Sequence, residues 1–175
     1  SGGFSTAMGK NTTASGFIST AMGDNTEASE DFSTAMGKNT RALGSISTAM
    51  GDNTEASGSY TTAMGKSTQA SSNGATAMGI STIAFGPIST AIGNQTQANG
   101  QSSLAGGEFS IASGYTSLAI GSGVTASGIE STAFGKNTIA SGSGATALGY
   151  FTNATGSYST TFGVLSQAQG NTSAA

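Results

Sequence analysis

The chain has 175 residues, a net charge of −3, 35% hydrophobic residues and no His, Cys or Trp. Five basic residues are too few to neutralise a phosphate backbone, which excludes nucleic acid as a partner, and the lack of Cys excludes disulfides and thiolate metal sites. Without His or Cys a serine triad has no base and zinc has no usual ligands, so neither an enzyme nor a cofactor is expected.

Taken from the start, the first element reads Ser5-Thr6-Ala7-Met8-Gly9-Lys10-Asn11 and the second Thr12-Thr13-Ala14-Ser15-Gly16. The two then alternate along the chain. Alanine stands at every multiple of seven from Ala7 to Ala175, except at Thr161, and glycine follows two residues later from Gly9 to Gly170, except at Glu30 and Ser72. A coiled coil is excluded, because its seam needs large apolar residues on helix-forming sequence. Repeated Gly would cost such a helix about 1 kcal/mol each. The true period is 14, two unlike halves, each predicted as a strand of about five residues and a Gly-containing turn. Two strands and two turns make one flat coil. Stacked coils give parallel sheets on two faces, with strands about 4.8 Å apart. The fold class is therefore all-β, a parallel β-solenoid of about twelve 14-residue coils, read as one repeat domain over residues 1–175.

Side chains alternate across a strand. Ser and Ala share one side and recur in both halves, so they point into the coil, where only small side chains fit. The other side differs between halves. After the Ala of the odd half stand Met8, Met22, Met36, Met50, Met64, Met78, Ile92, Ile120, Phe134, Leu148 and Phe162. At the same place in the even half stand mostly Ser, as at Ser15, Ser29 and Ser57. One outer face is thus apolar and the other polar. A coil this thin has no interior for Met, so the apolar row is an interface between copies, each buried Met contributing about 1.5–3 kcal/mol. The periodicity does not choose between two copies and three.

Smaller signals follow along the chain. Lys10, Asp24, Lys38, Asp52 and Lys66 alternate in sign at one turn position, as do Glu27, Arg41 and Glu55 on the even strand, and opposite charges on neighbouring coils fix register. Asn11, Asn25, Asn39 and Asn53 recur in one turn, where Asn tolerates left-handed backbone angles. Glu27, Glu30 and Asp31 are the only carboxylates close in sequence, a solvated turn in preference to a calcium site. The repeat is disturbed at Ile80, Ile83, Phe85 and Pro87, again where Gly106 takes the place of the apolar odd-half residue before Phe109, and at Tyr150, Phe151 and Tyr158. Of these, Ile83, Phe85, Phe109, Tyr150 and Phe151 are the candidate ligand contacts, against the preferred reading that they cover the coil edge or pack on another subunit.

These residues resemble the head repeats of trimeric autotransporter adhesins, the YadA-like heads. The S-x-A-x-G pattern of that family is matched by Ser19-Thr20-Ala21-Met22-Gly23 and Ser117-Leu118-Ala119-Ile120-Gly121, among others over nearly the whole chain. The resemblance implies a left-handed parallel β-roll and a homotrimer. It also implies display outside the cell, on the bacterial outer membrane, and attachment to an extracellular matrix protein, a surface glycan or another surface. Both ends fall inside the repeat and no apolar run approaches a membrane span. The expectation is a segment of a longer fibre, not itself inserted in a membrane and anchored through a region not present here. A passive spacer or phage tail-fibre shaft is the alternative, since similar repeats occur in fibres. An ice-binding solenoid, suggested by the stacked Thr, is a distant third: its Thr ladder is paired with Met, and Glu27, Arg41 and Glu55 break the other face.

Overall fold

In a computed structural model, which describes residues 2–175, the chain forms a parallel β-solenoid of about twelve turns. It divides into two compact units, Ser1–Ile88 and Ser89–Ala175. Each coil contributes one long and one short strand. The first unit begins with a long strand at Thr6–Lys10 and a short one at Thr13–Ala14, and the second with Thr90–Asn94 and Gln97–Ala98. Within each unit the long strands pair only with long strands and the short with short, always parallel and always 14 residues apart, as Ala21 with Ala35 and Ala28 with Ala14.

The even half is shorter than its sequence suggests. Its strands hold two residues, not about five, because the chain leaves the ladder directly after Ala. The amide of the next residue still bonds forward to the following coil, as Ser15 N–H does to Ala28 O at 2.9 Å, but the residue after that enters the turn.

The core is thin and made of small side chains. From Ala21 to Ala154 the alanines of the heptad are fully buried, and so are Ser19, Ser33 and Ser47 just ahead of the long strands and Thr26, Thr40 and Thr54 ahead of the short ones. Several hydroxyls ahead of the long strands cap the turn before them: Ser19 Oγ donates to Gly16 O at 2.8 Å and Ser117 Oγ to Gly114 O at 2.7 Å, whereas Ser47, Ser89 and Ser159 have no partner. Ahead of the short strands Ser110 Oγ donates to Gly121 O at 3.0 Å, but most hydroxyls there make no bond. Thr26, Thr40, Thr54, Thr68, Thr82, Thr96, Thr138 and Thr152 have buried Oγ1 atoms with no hydrogen-bond partner. Val124 fills the same position in the second unit, equally buried, so shape and not the hydroxyl is what this column requires.

Every turn holds one residue in the left-handed region. From Phe4 to Thr172 these positions fall seven apart, with φ between 51 and 60° for every non-glycine among them. The left-handed residues keep their amides in the stack and bond to the coil before, as Asn25 N–H to Lys10 O at 2.8 Å and Phe32 N–H to Phe17 O at 2.9 Å. The glycine of the long strand answers a second demand. At Gly37 φ is +127° and an added Cβ would stand 2.0 Å from Gly51 O, so no other residue fits.

Candidate assembly surface

The outer face of the long-strand sheet carries the apolar row predicted from the repeat. In the first unit Met8, Met22, Met36, Met50, Met64 and Met78 pair in register, one per coil, with Thr6, Thr20, Thr34, Thr48, Thr62 and Thr76 beside them. Met22, Met36, Met50 and Met64 are half-buried by one another, while Met8 and Met78 are exposed. In the second unit the row runs Ile92, Gly106, Ile120, Phe134, Leu148 and Phe162, again in register. Where Gly106 interrupts it, Leu104 and Leu118 stand in the neighbouring Thr column, so apolar volume lost at one position returns at the next. A Cβ on Gly106 would meet only Ile120, at 3.6 Å from Cγ1 and 3.9 Å from Cγ2, ordinary contacts, and its φ is not positive.

The outer face of the short-strand sheet is mostly polar in the first unit, from Thr13 to Gln69, with Leu43 the exception there and Ile83 on its last strand. Arg41 bridges two coils: Nε donates to Glu27 Oε2 at 3.2 Å and Nη1 to Glu55 Oε2 at 3.0 Å. Ser29 Oγ and Ser57 Oγ donate to the free oxygens of the same carboxylates at 2.9 and 2.7 Å. Alongside, Asn25 Nδ2 donates to Asn39 Oδ1 at 2.9 Å in the Asn column expected to be left-handed, and it is: φ is 52°, 58°, 51° and 57° at Asn11, Asn25, Asn39 and Asn53. These residues line a shallow polar groove of about 420 Å³.

The other charge ladder behaves differently from its expectation. Lys10, Asp24, Lys38, Asp52 and Lys66 do pair in register, but as the last residues of the long strands rather than in the turn. Among the described residues only Arg41 makes ion pairs. Lys and Asp at strand ends reach into water, where a point charge gains little from a neighbour 4.8 Å along the stack. Nor do Glu27, Glu30 and Asp31 converge. Glu27 is committed to Arg41 and Ser29, and Asp31 Oδ1 accepts the Phe17 amide at 2.9 Å.

The candidate ligand contacts are not brought together. Ile83 is half-buried on a short strand of the first unit, and Phe85 stands exposed just beyond it. In the second unit Phe109 and Phe151 are the left-handed residues of their turns. Tyr150 ends a long strand, packs edge-to-face on Phe151 at 4.5 Å between centroids, and carries Lys136 Nζ 5.9 Å from its ring. Tyr150 pairs with Val164, and Leu165 follows, so this end of the second unit presents four exposed apolar side chains where the first four coils of the first unit present Lys or Asp followed by Asn.

A second apolar row was not anticipated. In the first unit the left-handed residue of the turn leading into the long strand is Phe4, Ile18, Phe32, Ile46, Tyr60, Gly74 and Ile88 in successive coils. The large ones are 46 to 86% exposed. Phe17 ties the first of them together, edge-to-face with Phe4 at 5.9 Å and with Phe32 at 6.1 Å. A β-branched or aromatic residue in this region is strained by about 1–3 kcal/mol. The signal was present in the sequence as a 14-residue apolar spacing, but the residue types pointed to strand edges and not to a left-handed turn.

No curated protein matches the chain. A family model does: the YadA head domain repeat matches residues 19–40, 42–68, 56–82, 70–96, 86–110, 98–123, 112–138, 126–152 and 140–164. Those segments run through both units and follow the coils that carry the Ala, Gly and apolar columns. A parallel β-solenoid of the left-handed type with this match across most of its length belongs to the family of YadA head domain repeats.

Proposed function

We propose that this chain is a segment of a trimeric, surface-displayed adhesin fibre, in which three copies bring their long-strand faces together and leave the polar faces outward. The carrying observation is the in-register apolar row, Met8 to Met78 in one unit and Ile92 to Phe162 in the other, on the outside of a coil whose own core is Ala, Ser and Thr. Such a row is too long to leave in water. Family membership supports three copies and an extracellular location, with the fibre anchored at the outer membrane through another region. The role is non-enzymatic attachment to a matrix protein, glycan or other surface, with many weak contacts multiplied by coils and chains.

Light scattering on the parent chain and on a Met22→Lys/Met50→Lys variant tests the assembly. A mass near three times 16.9 kDa that collapses in the variant is the expected result. A folded monomer in both would sink it. Adhesion is tested separately, by binding of the assembled protein to collagen, fibronectin and a panel of glycans. Binding to none of them would leave a passive spacer as the role.

A further inference from the structure

We infer that the turn row of the first unit, Phe4, Phe17, Ile18, Phe32, Ile46 and Tyr60, is the second half of the contact between copies and lies against the methionine row of the neighbouring chain. This rests on the trimer reading above. Four observations carry it.

The first is the choice of residue. Both turns of each coil demand the same left-handed geometry. The turn after the long strand fills it with Asn11, Asn25, Asn39 and Asn53, which accept it readily, and then with the small Ser67 and Ser81. The turn before the long strand fills it with Ile, Phe and Tyr, which do not. Nothing in the chain itself buries these side chains, so their apolar character answers to something outside it.

The second is area. Six large side chains, five of them 43 to 66% exposed and Phe4 more so, offer on the order of 600 Å². A stable interface buries about 800 Å² per partner. The row supplies most of one such contact.

The third is symmetry. A two-fold dimer uses one self-complementary patch, whereas a closed ring of three needs two different patches that fit each other. The first unit has two, the methionine row and the turn row, on different parts of the same coil.

The fourth is spacing. Both rows place one large side chain per coil, so they share one axial repeat. A surface that receives a side chain at every coil must itself repeat every coil, and a second copy does so. The methionine row is bordered by Gly37, Gly51 and Gly65, an exposed column without side chains into which large residues can settle. In the second unit the turn positions are Ser102, Thr116, Glu130, Gly144, Tyr158 and Thr172, so this contact belongs to the first unit.

Asparagine is at home in a left-handed turn, so an Ile18→Asn/Ile46→Asn/Tyr60→Asn variant removes the apolar row without handicapping the coil. Circular dichroism should show the same fold, and light scattering over a dilution series should show the oligomer dissociating at a concentration at least tenfold higher. An unchanged dissociation would overturn the inference. Location is read by cross-linking, since the chain has no thiol of its own. Tagged Ile46→Cys chains co-expressed with untagged Met50→Cys chains should give a mixed disulfide-linked pair under mild oxidation. No mixed pair would also overturn it. If Met22→Lys/Met50→Lys dissociates the assembly and the Asn variant does not, the trimer reading stands and this inference falls. A monomeric parent chain would remove both.

Discussion

The two units have the same backbone and different surfaces. The first repeats itself: Met in the outer row of every coil, Thr beside it, Lys and Asp alternating at the strand ends as far as Lys66, Asn or Ser in one turn and Phe, Ile or Tyr in most of the other. The second varies at all of these. Its row holds Ile, Gly, Phe and Leu, and Leu104 and Leu118 interrupt the Thr column. Tyr150, Phe151, Val164 and Leu165 replace the polar strand ends and turns. Yet both units keep buried Ala, a long-strand Gly with φ between +97 and +143°, and one left-handed residue per turn. The coil is specified by those few positions, and everything else is free to serve contacts with something else.

If that is so, the largest losses should come from the shared positions and be equal in the two units. Gly37→Ala in the first and Gly135→Ala in the second would each drive a Cβ to 2.0 Å from the glycine carbonyl of the next coil. Each should cost about 3 kcal/mol or more, combining a forbidden φ with a backbone clash. Urea denaturation of both variants checks it. A loss confined to one unit would mean that the units do not share a backbone requirement after all.

The buried hydroxyl column gives the next effect, and here the two units supply each other's control. Thr54 Oγ1 is buried without a partner, and Val124 occupies the equivalent place. Thr54→Val should therefore stabilise the first unit by about 1 kcal/mol, and Val124→Thr should cost the second about 1–3 kcal/mol. Opposite shifts in the urea midpoint are the expected outcome. Two shifts of the same sign would show that the Thr hydroxyl finds a partner in solution. Smaller still is Gly106→Ala. The backbone there is ordinary and Ile120 lies at 3.6 Å, so the gain should be about 0.4–1 kcal/mol, mainly from a less flexible unfolded chain.

The order of these effects matches what was legible in the sequence. Ala7 and its successors, the long-strand glycines and the inward Ser or Thr announce themselves, because only small residues satisfy a coil with no room inside. The apolar outer row was legible for the same reason. What did not show was set by backbone conformation and not by size. Nothing at Ala14 or Ala28 signals that the short strand stops there, since the following Ser15 and Ser29 are as compatible with a strand as with a turn. The left-handed turn was readable at Asn39, where residue type and geometry agree, and hidden at Ile46, where they conflict. Among the candidate ligand contacts, Phe109 and Phe151 were hidden in the same way: each looked like a surface aromatic and is also the left-handed residue of its turn.

Charge is where the first unit's regularity should matter least. Its Lys and Asp ladder lines up in register without forming ion pairs, while Arg41 makes two, to Glu27 and Glu55, with about half of its side chain exposed. An exposed pair contributes about 0.2–1 kcal/mol because water already solvates both charges and the long side chains lose freedom in meeting. Arg41 holds one geometry for both partners, so the second pair adds attraction without ordering the guanidinium again. Arg41→Gln should therefore lower stability by about 0.5–1 kcal/mol at low salt, and the difference from the parent should shrink as salt is raised toward 1 M, where the screening length falls to about 3 Å. Lys38→Gln, on the ladder without ion pairs, should stay within about 0.3 kcal/mol of the parent at every salt concentration. Urea midpoints for the two variants at low and high salt separate the cases. An equal, salt-sensitive loss at Lys38 would mean that the strand-end charges do lock register, and that the two ladders of the first unit are energetically alike.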